Sequence, residues 1–319
     1  MTSPLKARSG GRRLSDALFT GLAAFCASLV AVVILGVFLQ LLVDSSLSLM
    51  RFGPGFLTSN AWDPRTGDYG ALSSIFGTAV TTLIAMAIAV PVALIIALLL
   101  VEIAHPAVSR VIGTGIELLA AVPSIIYGMW GLFILAPLMQ HRVQPFLASK
   151  LGWIPGIGGL FSGGAGGLGM LTAGVILALM VLPFITAVAR DSLAMVPPVV
   201  KEAAHGMGST TWEATRRVSL RWCRKGIVGA IFLGFGRAVG ETMAVTFVIG
   251  NFNGISTSLF APGNTIASKL ANEFSEADNP MHMSALMELA LVLFVMTFGF
   301  QVLAHWWLNR QTQAAEAHA

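Results

Sequence analysis

Between Leu72 and Glu102 the chain reads LSSIFGTAVTTLIAMAIAVPVALIIALLLVE, with no charged residue before the closing glutamate. An α-helix rising about 1.5 Å per residue needs roughly 20 such residues to cross the hydrocarbon layer of a bilayer. This stretch exceeds that and has length to tilt or protrude. Working outward, segments 17–43, 113–139, 169–189, 226–250 and 284–308 have the same character. The pattern predicts six transmembrane helices and an all-α integral membrane fold. Pro91, Pro123 and Pro183 fall inside three of these segments and free carbonyls that neighbouring helices or water must satisfy. The bland account of each is a packing kink; the functional one is a place on a substrate path.

Composition agrees. Of the 319 residues 11% are charged, against about 25% in soluble domains. So few charges cannot wet the surface of a globule this size, which argues against a soluble enzyme, a nucleic-acid reader or a disordered scaffold. The net charge of +4 is a matter of placement. With the amino terminus inside, thirteen of the 19 basic residues fall on the inner side, Lys6, Arg8, Arg12 and Arg13 among them. Arg51, Arg65, Arg142, Lys150 and Lys269 fall outside, and Arg237 is left within a span. The positive-inside rule then puts both termini in the cytoplasm. The first apolar run is too long for a secretory leader and has no clear cleavage site, so it reads as a retained span. Cys26 and Cys223 lie at different depths and form no disulfide framework.

Catalytic motifs are missing. Gly164 to Gly169 formally matches a dinucleotide fingerprint, but no strand precedes it and no acidic residue follows at the required distance; it reads as a flexible outer connection. The dipeptide Gly-Lys does not occur, so there is no Walker A motif. No His-Glu-x-x-His, paired-cysteine or Gly-x-Ser-x-Gly pattern is present, and His141, His205 and His282 are scattered in loops. We expect no catalytic residue, no metal site and no cofactor on this chain.

The longest inner connection runs from Arg190 to Lys225. Pro197 and Pro198 stop one short helix and start another. Gly208 is a helix end, and Thr210 with Glu213 has capping-box spacing for the next segment. Two short helices meeting at a glycine corner suit a partner's groove. An interfacial pair on anionic lipid, served by Arg216, Arg217, Arg221 and Arg224, fits equally well on these grounds.

Arg237 lies eleven residues into the segment that begins at Gly226, near mid-membrane. A charge there costs at least about 2.5–3.5 kcal/mol on insertion scales, so it carries a functional hypothesis by default. Glu241 follows four residues later, one helical turn on, and is expected to pair with it. Gly236 and Gly240 form a Gly-x-x-x-Gly packing edge, and Thr242 and Thr246 add hydroxyls. A buried ion pair that merely locks helices is the structural alternative. The functional reading is a guanidinium fork offered to an oxyanion on a central pathway, held and moderated by Glu241. Glu102 and Glu117 are expected to snorkel to the inner interface, and Glu288 is left without a role.

Glu202-Ala203-Ala204-x-x-x-Gly208, followed after nine residues by Val218-Ser-Leu220, resembles the EAA loop of bacterial ABC importer permeases. Val218 stands where isoleucine is expected and Arg221 where proline is. Gly236-Arg237-Ala-Val-Gly240-Glu241-Thr242-Met-Ala-Val245-Thr246-Phe, Pro262-Gly263-Asn264 through Asn272-Glu273-Phe, and Ala285-Leu-Met-Glu288-Leu resemble the PstC-type permeases of phosphate-specific importers. The resemblance covers the six-span plan and is dense from Glu202 to Phe300.

It implies a type I ABC importer permease fold, with both termini inside, moving inorganic phosphate across a bacterial cytoplasmic membrane. The expected divisions are 1–70 (tail, first span and outer loop), 71–310 (permease core with loop 190–225) and 311–319 (tail). Glu202, Ala203, Ala204 and Gly208 would couple to a separate ATPase that uses the ATP, while Arg237, Glu241, Thr242 and Thr246 would line the pathway. A second homologous permease, two ATPase subunits, an extracytoplasmic phosphate-binding protein contacting loops 44–71 and 251–283, and membrane lipid are the implied partners; nucleic acid is not. A permease for sulfate or molybdate would keep the loop and differ around Arg237, and a secondary ion-coupled transporter would not require the loop.

Overall fold

An alanine stripe sets the centre of the molecule. Ala85, Ala89, Ala93 and Ala97 recur every four residues on one face and are all fully buried. With no side chain beyond Cβ, they let one helix backbone approach another closely. The computed structural model describes residues 9–164 and 166–316; Lys6, Arg8, Ala165 and the last three residues of the carboxyl tail lie outside the described residues. Helix α1 is Ser9–Asp44. The alanine stripe belongs to α2, Leu72–Leu98, which continues as a π-turn through Ile103. Helix α3 is Pro106–Ala120, and α4, Ser124–Leu151, follows it after a bend of 90°. The most enclosed helix is α5, Met170–Ala194, against which α2 lays its alanine face. Then come α6 (Pro198–Gly206), α7 (Arg224–Val239), α8 (Ile266–Glu273) and α9 (Pro280–Glu316).

Four of these helices are long and apolar enough to cross a membrane, or five if the bent pair counts as one span. Two of the six expected spans therefore take another form. Segment 113–139 is broken at Pro123, the residue preceding the first helical residue of α4. Proline disfavours helical geometry in the residue before it, so the chain turns there instead of kinking. Tyr127 ties the corner, its hydroxyl donating to the Leu119 carbonyl at 2.9 Å. Pro91 and Pro183 sit within continuous helices, as expected of simple packing positions.

Segment 226–250 is the second departure. Its helix stops at Val239 after 16 residues, roughly 24 Å at 1.5 Å per residue. Gly240 ends it, and only the single turn Met243–Thr246 follows. Beyond Gly250 (φ 90°) and Asn251 (φ 49°) the chain returns extended, with the Phe252 amide donating to Gly263 at 2.9 Å and the Gly263 amide to Ile249 at 3.0 Å.

Residues of the connections 44–71 and 251–283 form a second small core with α9. A hairpin pairs Trp62 with Tyr69 and Asp63 with Asp68. Phe56, Trp62 and Tyr69 pack with Ile266 of α8 and with Ala285, Leu286 and Leu289 of α9. A capping box of Thr265 and Ser268 starts α8, and the Ile266 amide donates to Thr78 on α2 at 3.0 Å. Large apolar side chains along α1, such as Leu18, Phe25, Val33 and Leu39, point outward with nothing over them, as a lipid-facing helix requires.

Candidate translocation and docking site

Arg237 occupies the last turn of α7 and is exposed. Its guanidinium carbon lies 5.8 Å from the ring centroid of Phe184, in the middle of α5. Glu241 does not reach it. Because the helix ends at Val239, the register that would stack residues four apart is lost, and no ion pair joins the two. Instead Glu241 Oε1 accepts the Ala244 amide at 3.2 Å, capping the turn that follows. The Thr242 hydroxyl donates to Gly240 at 3.3 Å and that of Thr246 to Thr242 at 2.7 Å, so both first satisfy their own backbone. The structure thus brings the four residues to one break in the chain, where Arg237 makes no ion pair among the described residues. A cavity of about 590 Å³ opens beside the break, lined by Gly240 and Thr242 with Ala271, Ser275, Met287 and Leu293.

The glycines divide. A Cβ on Gly236 would stand 3.1 Å from Gln301 of α9, whereas one on Gly240 meets only its own helix. The close approach of α7 to α5 is at Gly226, where a Cβ would strike Ser192, and at Gly234, where it would strike Ile185. Gly236 of the Gly-x-x-x-Gly edge thus faces α9, while the approach to α5 lies at Gly226 and Gly234, which the motif does not mark.

In loop 190–225 the local chemistry behaves as its residues dictate. Helix α6 ends in a 6→1 hydrogen bond from the Ser209 amide to Ala204 at 3.1 Å, around Gly208 at φ 85°. Thr210 and Glu213 form the reciprocal box, with the Thr210 amide donating to Glu213 at 3.0 Å. That backbone bond, then the Thr210 hydroxyl, holds the Glu213 carboxyl below the usual range. Helix α6 buries none of its residues. Glu202, Ala203 and Gly208 are exposed, and Ala204 is half-covered. Around them Val199, Met207 and Trp212 stand 72, 88 and 62% exposed. Three large apolar side chains thus lie open beside a capped corner, the kind of exposure that is found at interaction surfaces.

Three arrangements escaped the sequence reading. Glu102 and Glu117 do not snorkel freely: Lys201 Nζ lies 2.9 Å from Glu102, and Arg190 lies 2.6 Å from Glu117 and 3.0 Å from Asp191. Their partners lie far along the chain, so no local spacing announces them. The third is Lys269 on α8, 3% exposed, with Nζ 3.7 Å from the Trp62 ring centroid and no hydrogen-bond partner. Burial pulls its pKa down to about 7, opposed by the charge of Glu273. Glu273 is held by the Trp62 indole N–H at 2.7 Å and stands 3.0 Å from His282.

No family model matches the chain. Among solved structures, a chain of the MetNI methionine ABC transporter, in an inward-facing conformation, superposes with a TM-score of 0.51 at 17% identity, covering 76% of this chain and 94% of that one. Fold and apolar helices together define a multi-pass membrane protein that shares the fold of that transporter chain. The sequence relatives are more specific. The phosphate transport system permease protein PstC of Mesorhizobium japonicum is 50% identical over 297 residues, covering 93% of this chain and 91% of the relative. That of Haemophilus influenzae is 47% identical over 298 residues (93% and 94%), and PstC 2 of Mycobacterium tuberculosis is 38% identical over 294 (90% and 89%). The chain belongs to the PstC family of phosphate transport system permease proteins.

Proposed function

We propose that this chain is one transmembrane subunit of an ATP-driven importer of inorganic phosphate in a bacterial cytoplasmic membrane, with both termini inside. Its core, residues 71–310, pairs with a second homologous permease. Two cytoplasmic ATPase subunits bind and hydrolyse ATP, an extracytoplasmic phosphate-binding protein delivers substrate, and this chain carries no catalytic residue or cofactor. One observation carries the coupling: an unburied, capped helix bearing Glu202, Ala203 and Ala204, ending at Gly208 and flanked by exposed Val199, Met207 and Trp212. Exposed apolar side chains on two short helices that meet at a glycine corner suit a partner's groove.

In this reading ATP-driven closure of the partner displaces α6, the spans tilt, and the pathway alternates between outward and inward opening. Arg237, at the chain break and without an ion pair among the described residues, meets the anion in passing, with Glu241, Thr242 and Thr246 shaping the break around it. Phosphate as the substrate follows from the relatives, which are phosphate transport system permease proteins. The test is ATP-dependent uptake of labelled phosphate by the assembled transporter in proteoliposomes, with and without Glu202→Lys. Uptake that needs ATP and is lost in the variant supports the reading. Uptake indifferent to both, or restricted to sulfate or molybdate, overturns it.

A further inference from the structure

We propose that the Lys201–Glu102 ion pair is the strut through which displacement of α6 reaches the membrane core. Both are positioning residues, and the proposal rests on reading α6 as the docking segment. The pair spans 2.9 Å between Lys201 Nζ and Glu102 Oε1, and the Glu102 side chain is only 10% exposed against 23% for Lys201. It is a half-enclosed contact, unlike a solvated surface pair, so removing one partner strands the other in a poorly hydrated place. Helix α6 buries nothing in the core, and among the described residues this is the ion pair that joins it to a spanning helix.

The receiving end is built to move. Glu102 lies on the π-turn Leu99–Ile103, closed by the Ala104 amide on Leu99 at 2.8 Å. A π-turn carries one residue more than an α-turn, and such segments concentrate at functional sites. A pull on Glu102 can thus be taken up as a change of register and passed along α2. From there it enters the fully buried alanine stripe that packs on α5, whose Phe184 lies beneath Arg237. The pair links docking helix, deformable turn and core helix in one contiguous path.

The experiment measures phosphate moved per ATP hydrolysed by the complete transporter in proteoliposomes. It uses Lys201→Met, Glu102→Gln, the two combined, and the charge exchange Lys201→Glu with Glu102→Lys, with co-purification as the check on assembly. Each single variant is expected to lower the ratio roughly fivefold or more, as a coupling contact should. The combined variant should be no worse than the singles, and the exchange should restore most of the ratio. An unchanged ratio in the singles, additive losses without restoration, or an exchange variant that assembles but stays uncoupled overturns the strut. Failure of every variant to assemble also overturns it, by making the pair purely architectural. A wild-type complex without ATP-driven phosphate uptake instead overturns the proposed function.

Discussion

The guanidinium of Arg237 stands 5.8 Å over the ring of Phe184, joining the last turn of α7 to the middle of α5. A cation over an aromatic face gains about 0.5–1 kcal/mol where it is exposed, enough to orient a side chain without holding it fast. The charge stays available to an anion, whereas a salt-bridged guanidinium would already be occupied. Arg237→Gln is therefore expected to reduce phosphate uptake at least tenfold while the protein still assembles, and Arg237→Lys to retain part of it. Uptake assays on reconstituted protein check both.

Glu241 gives a sharper test because it caps instead of pairing. Glu241→Gln keeps an acceptor for the Ala244 amide and should leave stability nearly unchanged, whereas Glu241→Ala should cost about 1 kcal/mol. In a double-mutant cycle of thermal stability, Arg237 and Glu241 should couple by less than about 0.5 kcal/mol. A coupling of several kcal/mol would restore the ion pair.

Packing predicts which glycines matter. Gly77→Ala drives a methyl into the Asn264 backbone carbonyl, and Gly234→Ala drives one into Ile185. Each should destabilise by about 1–3 kcal/mol and lower the amount of protein recovered from membranes. Gly240→Ala and Gly115→Ala meet no foreign atom and should be recovered at the normal level, as quantitative immunoblotting would show.

Lys269 predicts a pH dependence with a definite sign. Its folded pKa of about 7 lies below the ordinary value of 10.5, so protonation favours the unfolded chain. Stability should fall as pH drops from about 10 toward 7 and level off below. Lys269→Met removes the desolvation cost, raises Tm at pH 7 by roughly 2–4 °C for each kcal/mol recovered, and flattens the slope. Thermal melts across that pH range decide the matter.

Much of this was legible in the residues. Apolar run lengths located the four long helices, because a bilayer leaves a backbone little choice but to bond to itself. The capping box of Thr210 and Glu213 and the glycine corner at Gly208 were readable because such bonds close within a few residues. Run length did not reveal the breaks within 113–139 and 226–250. There Pro123 and Gly240 end helices that hydrophobicity alone would continue, and only the neighbouring elements decide whether a breaker kinks a helix or stops it.

By itself, then, the sequence determined that this is a membrane protein, which family it resembles and where the glycine corner and capping box of loop 190–225 lie. Each follows from local composition or from contiguous motifs. Tertiary structure alone decided that Arg237 stands free of Glu241, that Gly226 and Gly234 are the close contacts, and that Lys201 grips Glu102. Those facts depend on where one helix ends and which others lie against it, and the physics that sets them acts between residues far apart along the chain.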